Sequence, residues 1–304
     1  MNFWAGVTDN NWFQFQRSQN ATEVNFWQPK PANFKAISEG GLFLFKLKRP
    51  NNHIAGGGYF TKYLELPVSL AWEVYGRTNG LNSYEEFLQK MQFFHKTNLE
   101  PNIGCIILNE VFYLEDESWI SMSKFWQNSI VRGKSYSSEK ADGKYILDGL
   151  KLGEIFNQKQ IGAYVSESLE KYGKQISIKP RLGQNTFRAL VTYAYKGKCA
   201  MTGESTLPVL EAAHIRPFSE EGSSHSLNNG ILLRSDFHTL FDRGLVTITT
   251  QYKIEISSKI QSEWFNGKAY YRLHGESLQS LPKNSNERPA PEMLRWHNEN
   301  KFQP

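Results

Sequence analysis

Three of the seven histidines, His214, His225 and His238, fall within 25 residues of one another. An imidazole with an ordinary pKa can take a proton from water at neutral pH, so one of them could act as a general base. Imidazoles and carboxylates also bind divalent cations, and Asp242 follows His238 by four residues. Residues four apart on a helix share a face and can reach the same ion. The segment therefore has the residue types for metal-assisted acid–base chemistry.

The residues around these histidines predict the elements that position them. The apolar run LPVLEAAHI predicts a strand that ends near His214, SSHSLNNG predicts a turn-rich loop, and GILLR predicts a second short strand. Ser235 is then predicted to cap a short helix, DFHTLFDR, which Gly244 closes. The predicted order is strand, loop, strand and helix.

His214, Asn229 and His238, placed on this strand, loop and helix, resemble the ββα-metal site of the HNH nuclease family. That family commonly has its asparagine nine residues before the last histidine, which is the spacing of Asn229 and His238. Residues 181–204 resemble the helix and Cys-x-x-Thr-Gly turn that introduce the HNH unit in restriction-type nucleases. Residues 281–302 resemble the terminal tail of those enzymes. The resemblance spans about two fifths of the chain.

The resemblance implies a phosphodiester hydrolase in which His214 is the general base and His238 is a ligand of a divalent cation. By the same analogy, Asn229 either hydrogen-bonds across the loop to orient the base or completes the shell of the ion. The sequence leaves both roles open. Each residue alone also has an ordinary structural interpretation, and only their conjunction favours a catalytic site.

The second metal ligand is open because the family commonly has an acid or a histidine immediately before the base, whereas Ala213 stands there. Glu211 lies on the same face of the predicted strand as Ala213, and Asp242 lies one turn beyond His238 on the predicted helix. Both remain candidates. Oxygen ligands beside one imidazole suit Mg²⁺ or Mn²⁺, with Ni²⁺ and Co²⁺ as further options. The position of Ala213 also leaves open an inactive HNH module.

Many HNH units carry a structural zinc held by two Cys-x-x-Cys pairs, but the matching positions here are Cys199, Thr202, Arg234 and Phe237. One thiol cannot hold a structural zinc, so we predict none. Four arginines near the motif are candidates for phosphate contacts, because the guanidinium fork matches phosphate oxygens, although each could instead simply be solvated. They are Arg188, Arg216, Arg234 and Arg243.

The first half of the chain contains alternating apolar runs at residues 41–48, 53–60 and 104–114, which predict short strands. Helical spacing appears at residues 69–76 and 83–94, where Ser83 and Glu86 occupy capping-box positions. Residues 24–60 resemble the PUA-like superfamily, which includes EVE, YTH, ASCH and SRA domains. This resemblance implies a small β-barrel with a pocket for a flipped modified base.

The chemistry of such a pocket is aromatic stacking combined with hydrogen bonds to the edge of the base. The candidate pocket residues are Asn25, Trp27, Gln28 and Lys46. The alternative is that the aromatic residues only fill a barrel core. Three consecutive glycines, Gly56 to Gly58, allow either close approach of a ligand or a bulge.

Composition and length agree with two domains, since domains usually have about 100 to 200 residues and the chain has 304. The net charge of +5 lies wholly in the second half, because residues 1–150 hold 15 basic and 15 acidic side chains and the rest hold 20 and 15. Two distant cysteines favour a reducing compartment. Neither a signal peptide nor an apolar run of membrane-spanning length is present, so we expect a cytoplasmic protein.

Together these observations predict an α+β protein. Residues 1–150 form a PUA-like recognition domain, residues 151–180 a linker with a helix, and residues 181–304 an HNH endonuclease domain. The implied function is modification-dependent restriction of foreign DNA, and one HNH site per chain favours a homodimer. The alternatives are a sequence-specific or RNA-directed HNH nuclease and a nucleic-acid-binding protein with an inactive HNH module.

Overall fold

A computed structural model describes residues 1–96, 98, 100–150, 184–217, 220 and 226–304. The chain divides into two compact units, residues 1–181 and 182–304. The predicted linker, including the helix expected over residues 161–173, lies outside the described residues, and so does His225. In the described part of the chain, no helix is long and apolar enough to cross a membrane.

The first unit combines seven strands with four helices in its described part. The strands are β1 (Asn2–Thr8), β2 (Glu23–Gln28), β3 (Leu42–Leu47), β4 (His53–Pro67), β5 (Asn102–Tyr113), β6 (Ile120–Ser121) and β7 (Gly133–Ser137). The helices are α1 (Asn10–Ser18), α2 (Val68–Tyr75), α3 (Tyr84–Phe94) and α4 (Ala141–Leu150). The strands and helices predicted from residues 41–48, 53–60, 69–76, 83–94 and 104–114 are confirmed. The side chain of Ser83 caps α3 by accepting a hydrogen bond from the Glu86 N–H.

The strands form one sheet in the order β2-β5-β4-β3-β1-β7, and β6 pairs with β4 beside this path. The predicted closed barrel is not confirmed, because β2 and β7 end the path without pairing with each other in the described residues. The sheet nevertheless curls. The ring centroids of Phe26 on β2 and Phe43 on β3 lie 4.9 Å apart, although β5 and β4 separate these strands. Register shifts along β4 increase the local twist, which curls a sheet without requiring closure.

Strand β3 is the centre of the packing in this unit, because both of its faces are buried. Phe43 and Phe45 point into one core, and Leu42 and Leu44 point into the other. The glycines of β4 allow the neighbouring strands to approach closely, since a Cβ on Gly57 would lie 2.6 Å from the Phe43 carbonyl oxygen. Close packing between strands therefore explains why glycines occupy this part of β4.

The second unit contains two hairpins and five helices among its described residues. They are α5 (Gln184–Ala194), β8 (Leu210–His214), β9 (Gly230–Arg234), α6 (Ser235–Asp242), β10 (Val246–Ile248), β11 (Ile254–Ile256), α7 (Lys259–Trp264), α8 (Lys268–Tyr271) and α9 (Pro291–Asn300). β8 pairs antiparallel with β9, and β10 pairs antiparallel with β11. Helices α5 and α6 pack on the first hairpin and α9 packs on β10. Together they bury apolar side chains in one core, including Phe187, Phe237, Phe241 and Leu294.

The two predicted strands and the helix around the histidines are confirmed, whereas residues 223–225 of the predicted loop lie outside the described residues. Two further findings concern the ends of α6. The prediction that Ser235 caps the helix is wrong, since α6 begins at Ser235 and its N-cap position is Arg234, which makes no side-chain capping bond. Gly244 closes the helix with a φ of +70°. A Cβ there would lie 2.0 Å from the Lys301 carbonyl oxygen, so both the backbone angle and the packing require glycine.

Candidate active site

His214 is the last residue of β8, where it pairs with Gly230 at the start of β9. Its imidazole stacks face to face on the Phe187 ring of α5, with centroids 3.9 Å apart and an angle of 7° between the planes. The side chain is half-buried. The hairpin thus sets the position of the imidazole, and Phe187 restricts its rotation.

Asn229 lies immediately before β9 and is fully buried. Its Oδ1 accepts a hydrogen bond from the Arg216 N–H at 2.9 Å, and its Nδ2 donates to the Arg216 carbonyl at 3.0 Å. Its backbone carbonyl accepts from the Ile215 N–H at 2.9 Å. Both ends of the side-chain amide therefore hold Arg216, and the backbone carbonyl of Asn229 holds Ile215, so Asn229 fixes the two residues that follow His214 along the chain.

The third predicted residue, His238 on α6, lies between the two candidate ligands that the sequence left open. Its Nδ1 lies 2.6 Å from Glu211 Oε2, and its Nε2 lies 3.4 Å from Asp242 Oδ2. Each ring nitrogen of His238 thus faces one carboxylate, and an imidazole and carboxylates are suitable ligands for a divalent cation.

His238 contacts each carboxylate directly, at different ring nitrogens, so the three side chains do not surround a common ion position. Accordingly, no group of three or more His, Cys, Asp or Glu side chains in the described ranges is arranged to hold a metal as it stands. The side chains of Glu211 and Asp242 are 49% and 61% exposed, so each has room to turn toward an ion at the imidazole nitrogen that it faces. Three residues of strand, about 10 Å, separate Glu211 from His214 on β8.

The four arginines predicted to contact phosphate differ in their present contacts. Arg234 forms two hydrogen bonds of 2.7 Å with Asp236, whose negative charge balances that of the guanidinium. The same ion pair holds the pKa of Asp236 below its ordinary value. The guanidinium of Arg216 lies 5.4 Å from the centre of the Trp296 ring. Arg188 is half-buried on α5, and Arg243 is exposed directly after α6. Arg234 is therefore the least suited of the four to bind a phosphate.

The positions that correspond to the zinc ligands of other HNH units also contact one another. Cys199 is buried, and its Sγ accepts a hydrogen bond from the Arg234 N–H at 3.3 Å. The guanidinium of Arg234 lies 5.1 Å from the centre of the Phe237 ring. One hydrogen bond and one ring contact thus connect three of the four positions.

His297, which the sequence analysis did not select, is buried on α9 against the helix that carries His238. Its ring stacks on Phe241 with centroids 3.7 Å apart, and its Nε2 lies 3.0 Å from the Phe241 carbonyl oxygen. Its Nδ1 lies 2.8 Å from Thr247 Oγ1. With its amide nitrogen turned toward Thr247, Asn298 donates to that hydroxyl at 2.6 Å. The hydroxyl proton is then free for Nδ1, and Nε2–H donates to the end of α6.

We predict that His297 couples the stability of the second unit to pH. The pKa of His297 is lowered from 6.5 to about 4, mainly by burial and to a smaller extent by the charge of Lys301, while the hydrogen bond to the Phe241 carbonyl opposes the shift. The unfolded chain therefore binds a proton that the folded chain excludes, and the free energy of unfolding falls as the pH drops from 6.5 toward 4. His297→Phe, which can keep the stack, should reduce this slope by up to about 1.4 kcal/mol per pH unit.

Urea unfolding of the full chain between pH 4 and 8, followed by circular dichroism, measures this slope. Leu294→Ala is the matched control, because it removes a buried side chain of the same helix without a titrating group. It should lower stability equally at every pH. A His297→Phe protein with the same pH slope as the parent chain would contradict the assignment.

The candidate pocket residues of the first unit lie in two neighbourhoods. Asn25 is fully buried and donates to Asn79 Oδ1 at 2.9 Å, and the Trp27 indole donates to the Asn79 carbonyl at 2.8 Å. Gln28 is the last residue of the same strand, β2. Two amide oxygens, Asn25 Oδ1 and Gln28 Oε1, are buried and accept no hydrogen bond within the described residues.

Lys46 lies on β3, which β5 and β4 separate from β2 in the sheet. The residue is 3% exposed, and its ammonium lies 4.6 Å from the centre of the Trp126 ring. Burial lowers the pKa of Lys46, and the nearby charge of Arg49 adds to this shift. Asn25 and Trp27 thus share Asn79 as a partner, whereas Lys46 has different surroundings.

Residues 199–249 match the family model for HNH endonucleases, HNH_2. The matched range includes His214, Asn229 and His238, together with Glu211 and Asp242. The second unit therefore carries an HNH endonuclease domain, and the protein is a nuclease.

Solved structures similar to this chain include two of an ASCH protein from Zymomonas mobilis. The match to the first structure covers 47% of this chain and 94% of the ASCH chain, at 11% identity with a TM-score of 0.33. The match to a mutant of that protein covers 47% of this chain and 96% of the mutant chain, at 12% identity with a TM-score of 0.34. The match to the modification-dependent TagI restriction endonuclease covers 91% of this chain and 74% of that enzyme, at 11% identity with a TM-score of 0.27. No curated protein matches the chain.

Proposed function

We propose that this nuclease is a modification-dependent restriction endonuclease, which binds modified DNA through its first unit and cuts it with its second. The observation that carries the nuclease part is the hairpin and helix that place His214, Asn229 and His238 at HNH spacing inside the matched range. We further propose a cytoplasmic homodimer. One active site cuts one strand, so two chains are needed to cut a duplex.

In the proposed mechanism, His214 takes the proton of the attacking water at a ring nitrogen. The Phe187 stack keeps the imidazole plane in one orientation, and Asn229 holds the backbone that follows it. His238, with Glu211 or Asp242 or both, would hold a divalent cation. When bound, such a cation supplies positive charge beside the scissile phosphate and the leaving oxygen.

The proposed recognition of modified bases by the first unit is supported by two buried amide oxygens of β2. An extruded base presents amino groups and ring N–H groups at its pairing edge, and buried oxygens that accept no hydrogen bond are suited to receive them. Asn25 Oδ1 and Gln28 Oε1 have this property. Trp27 shares the face of Asn25 on β2, whereas Gln28, three residues from Asn25, lies on the opposite face. Lys46 would act from its own neighbourhood on a phosphate or a charged modification.

Cleavage of matched DNA substrates tests the whole proposal. Phage DNA containing 5-methylcytosine, 5-hydroxymethylcytosine or glucosylated bases is compared with unmodified DNA, each with Mg²⁺ and with Mn²⁺. We expect one modified substrate to be cut faster than the unmodified DNA. Equal cutting of every substrate would refute modification dependence and favour a sequence-specific or RNA-directed nuclease.

We also predict that Gln28→Ala lowers the ratio of modified to unmodified cleavage at least about fivefold, because a buried hydrogen bond contributes about 1–3 kcal/mol. Cleavage of unmodified DNA should stay the same, since the nuclease unit is unchanged. The matched control is Gln14→Ala, which alters an exposed glutamine of the same unit. An unaltered ratio for Gln28→Ala would remove this residue from the pocket.

A further inference from the structure

The turn between α7 and α8 exposes two adjacent aromatic side chains, Trp264 and Phe265, which are 54% and 89% exposed. Large aromatic side chains are usually buried, and neighbouring exposed ones are typical of interaction surfaces. We refer to Trp264 and Phe265 as the aromatic prong.

The backbone holds the prong in a defined conformation. Phe265 has a φ of +53°, and its N–H donates to the Gln261 carbonyl at 2.9 Å. Tyr271 connects the two short helices, because its hydroxyl donates to the Ser257 carbonyl at 2.8 Å and accepts from the Gln261 N–H at 3.1 Å. The prong is therefore presented by an ordered turn.

Most charged residues beside the prong in the sequence are basic. Residues 259–272 contain Lys259, Lys268 and Arg272 against one acidic side chain, Glu263. A groove of about 430 Å³ runs from Trp264 to Leu240 and Arg243 at the end of α6. Arg243 follows His238 by five residues, about 7.5 Å along the axis of the helix, although on a different face. The basic surface thus adjoins the helix that carries the candidate metal ligand.

We propose that the aromatic prong and these basic side chains form a DNA-docking surface of the nuclease unit. Trp264 and Phe265 stack on bases or wedge between them, and Arg243, Lys268 and Arg272 neutralise the flanking phosphates. Stacking tolerates any base, and phosphate contacts carry no sequence information, so the surface adds DNA affinity without sequence selectivity. This proposal rests on the proposed nuclease function, and it adds a second contact with DNA beside the active site.

Equilibrium binding of unmodified duplex DNA in EDTA, followed by fluorescence anisotropy, tests the surface in the absence of cleavage. The double variant Trp264→Ala with Phe265→Ala should weaken binding about tenfold or more, in line with the loss of one or two stacked bases. Lys268→Gln and Arg272→Gln should each reduce the salt slope by about one. The matched control is Phe93→Ala with Phe94→Ala, an exposed aromatic pair in the first unit. Residues 85–96 around it hold two acidic and two basic side chains, so without a positive surrounding this pair should leave binding unchanged.

Three outcomes would overturn the proposal. The first is unchanged binding by the prong variant, and the second is equal weakening by the control pair. The third is conversion of a dimer to a monomer by the prong variant in analytical ultracentrifugation, which would make the prong a subunit contact. Cleavage at saturating DNA is measured separately. A chain that binds through the prong but never cuts would disprove the proposed catalysis and leave the docking surface standing.

Discussion

Replacing His214 by alanine is expected to slow DNA cleavage by about 10²–10⁴-fold, the usual contribution of a positioned general base. The imidazole is set by the end of β8 and by its stack on Phe187, with centroids 3.9 Å apart. Removing it leaves the hairpin, Asn229 and the basic surface in place, so DNA binding should be retained. Single-turnover cleavage in Mg²⁺ or Mn²⁺, with binding measured in EDTA, separates the two effects.

Two comparisons make this result specific to the site. Phe187→Leu keeps the imidazole but removes the stack, so we expect a smaller loss of rate than for His214→Ala. His274→Gln removes the imidazole of an exposed histidine of the same unit, can keep an acceptor for the Ile256 N–H that His274 Nδ1 binds, and should cut at the parental rate. A His214→Ala protein as fast as the parent chain would exclude the residue as the base. A parent chain that cuts with none of the cations would instead favour the inactive nucleic-acid-binding module.

The elements of the candidate site could be predicted because their signals are local. The apolar run before His214, the turn residues around Asn229 and the glycine after α6 all act within a few residues. The partner of Asn229 could not be predicted, since its hydrogen bonds depend on the path of the backbone at Arg216, 13 residues away. The spacing to His238 therefore identified Asn229, whereas its hydrogen bonds to Arg216 could be found only from the folded structure.

Long-range packing explains the remaining differences. His297 contacts Phe241 across 56 residues, and its sequence context on α9 carries no sign of that stack. Barrel closure also depends on distant strands, because β2 and β7 would have to meet at the ends of the path. The pairing of Arg234 with Asp236 had a signal, since opposite charges two residues apart flank the start of α6.

The geometry leads to a prediction on the second metal ligand, which the sequence left open between Glu211 and Asp242. Glu211 reaches His238 from β8 at 2.6 Å, whereas Asp242 lies at 3.4 Å from the same imidazole and is more exposed. The carboxylate that is closer and less exposed is better positioned to share an ion with His238. We expect Glu211→Gln to raise the cation concentration for half-maximal cleavage at least about 10–100-fold, the range for losing a group that only supports a metal ligand.

Asp242→Asn is the matched comparison, since it makes the same change from carboxylate to amide on the other side of the imidazole. We expect a smaller rise in the required cation concentration. The double variant Glu211→Gln with Asp242→Asn should need at least as much Mn²⁺ for half-maximal cleavage as His238→Ala does. Cleavage rates across a Mn²⁺ titration, after removal of bound ions with EDTA, give each midpoint. A larger shift for Asp242→Asn would exchange the two assignments. Parental midpoints for both variants would remove the carboxylates from the ion site and leave His238 with other partners.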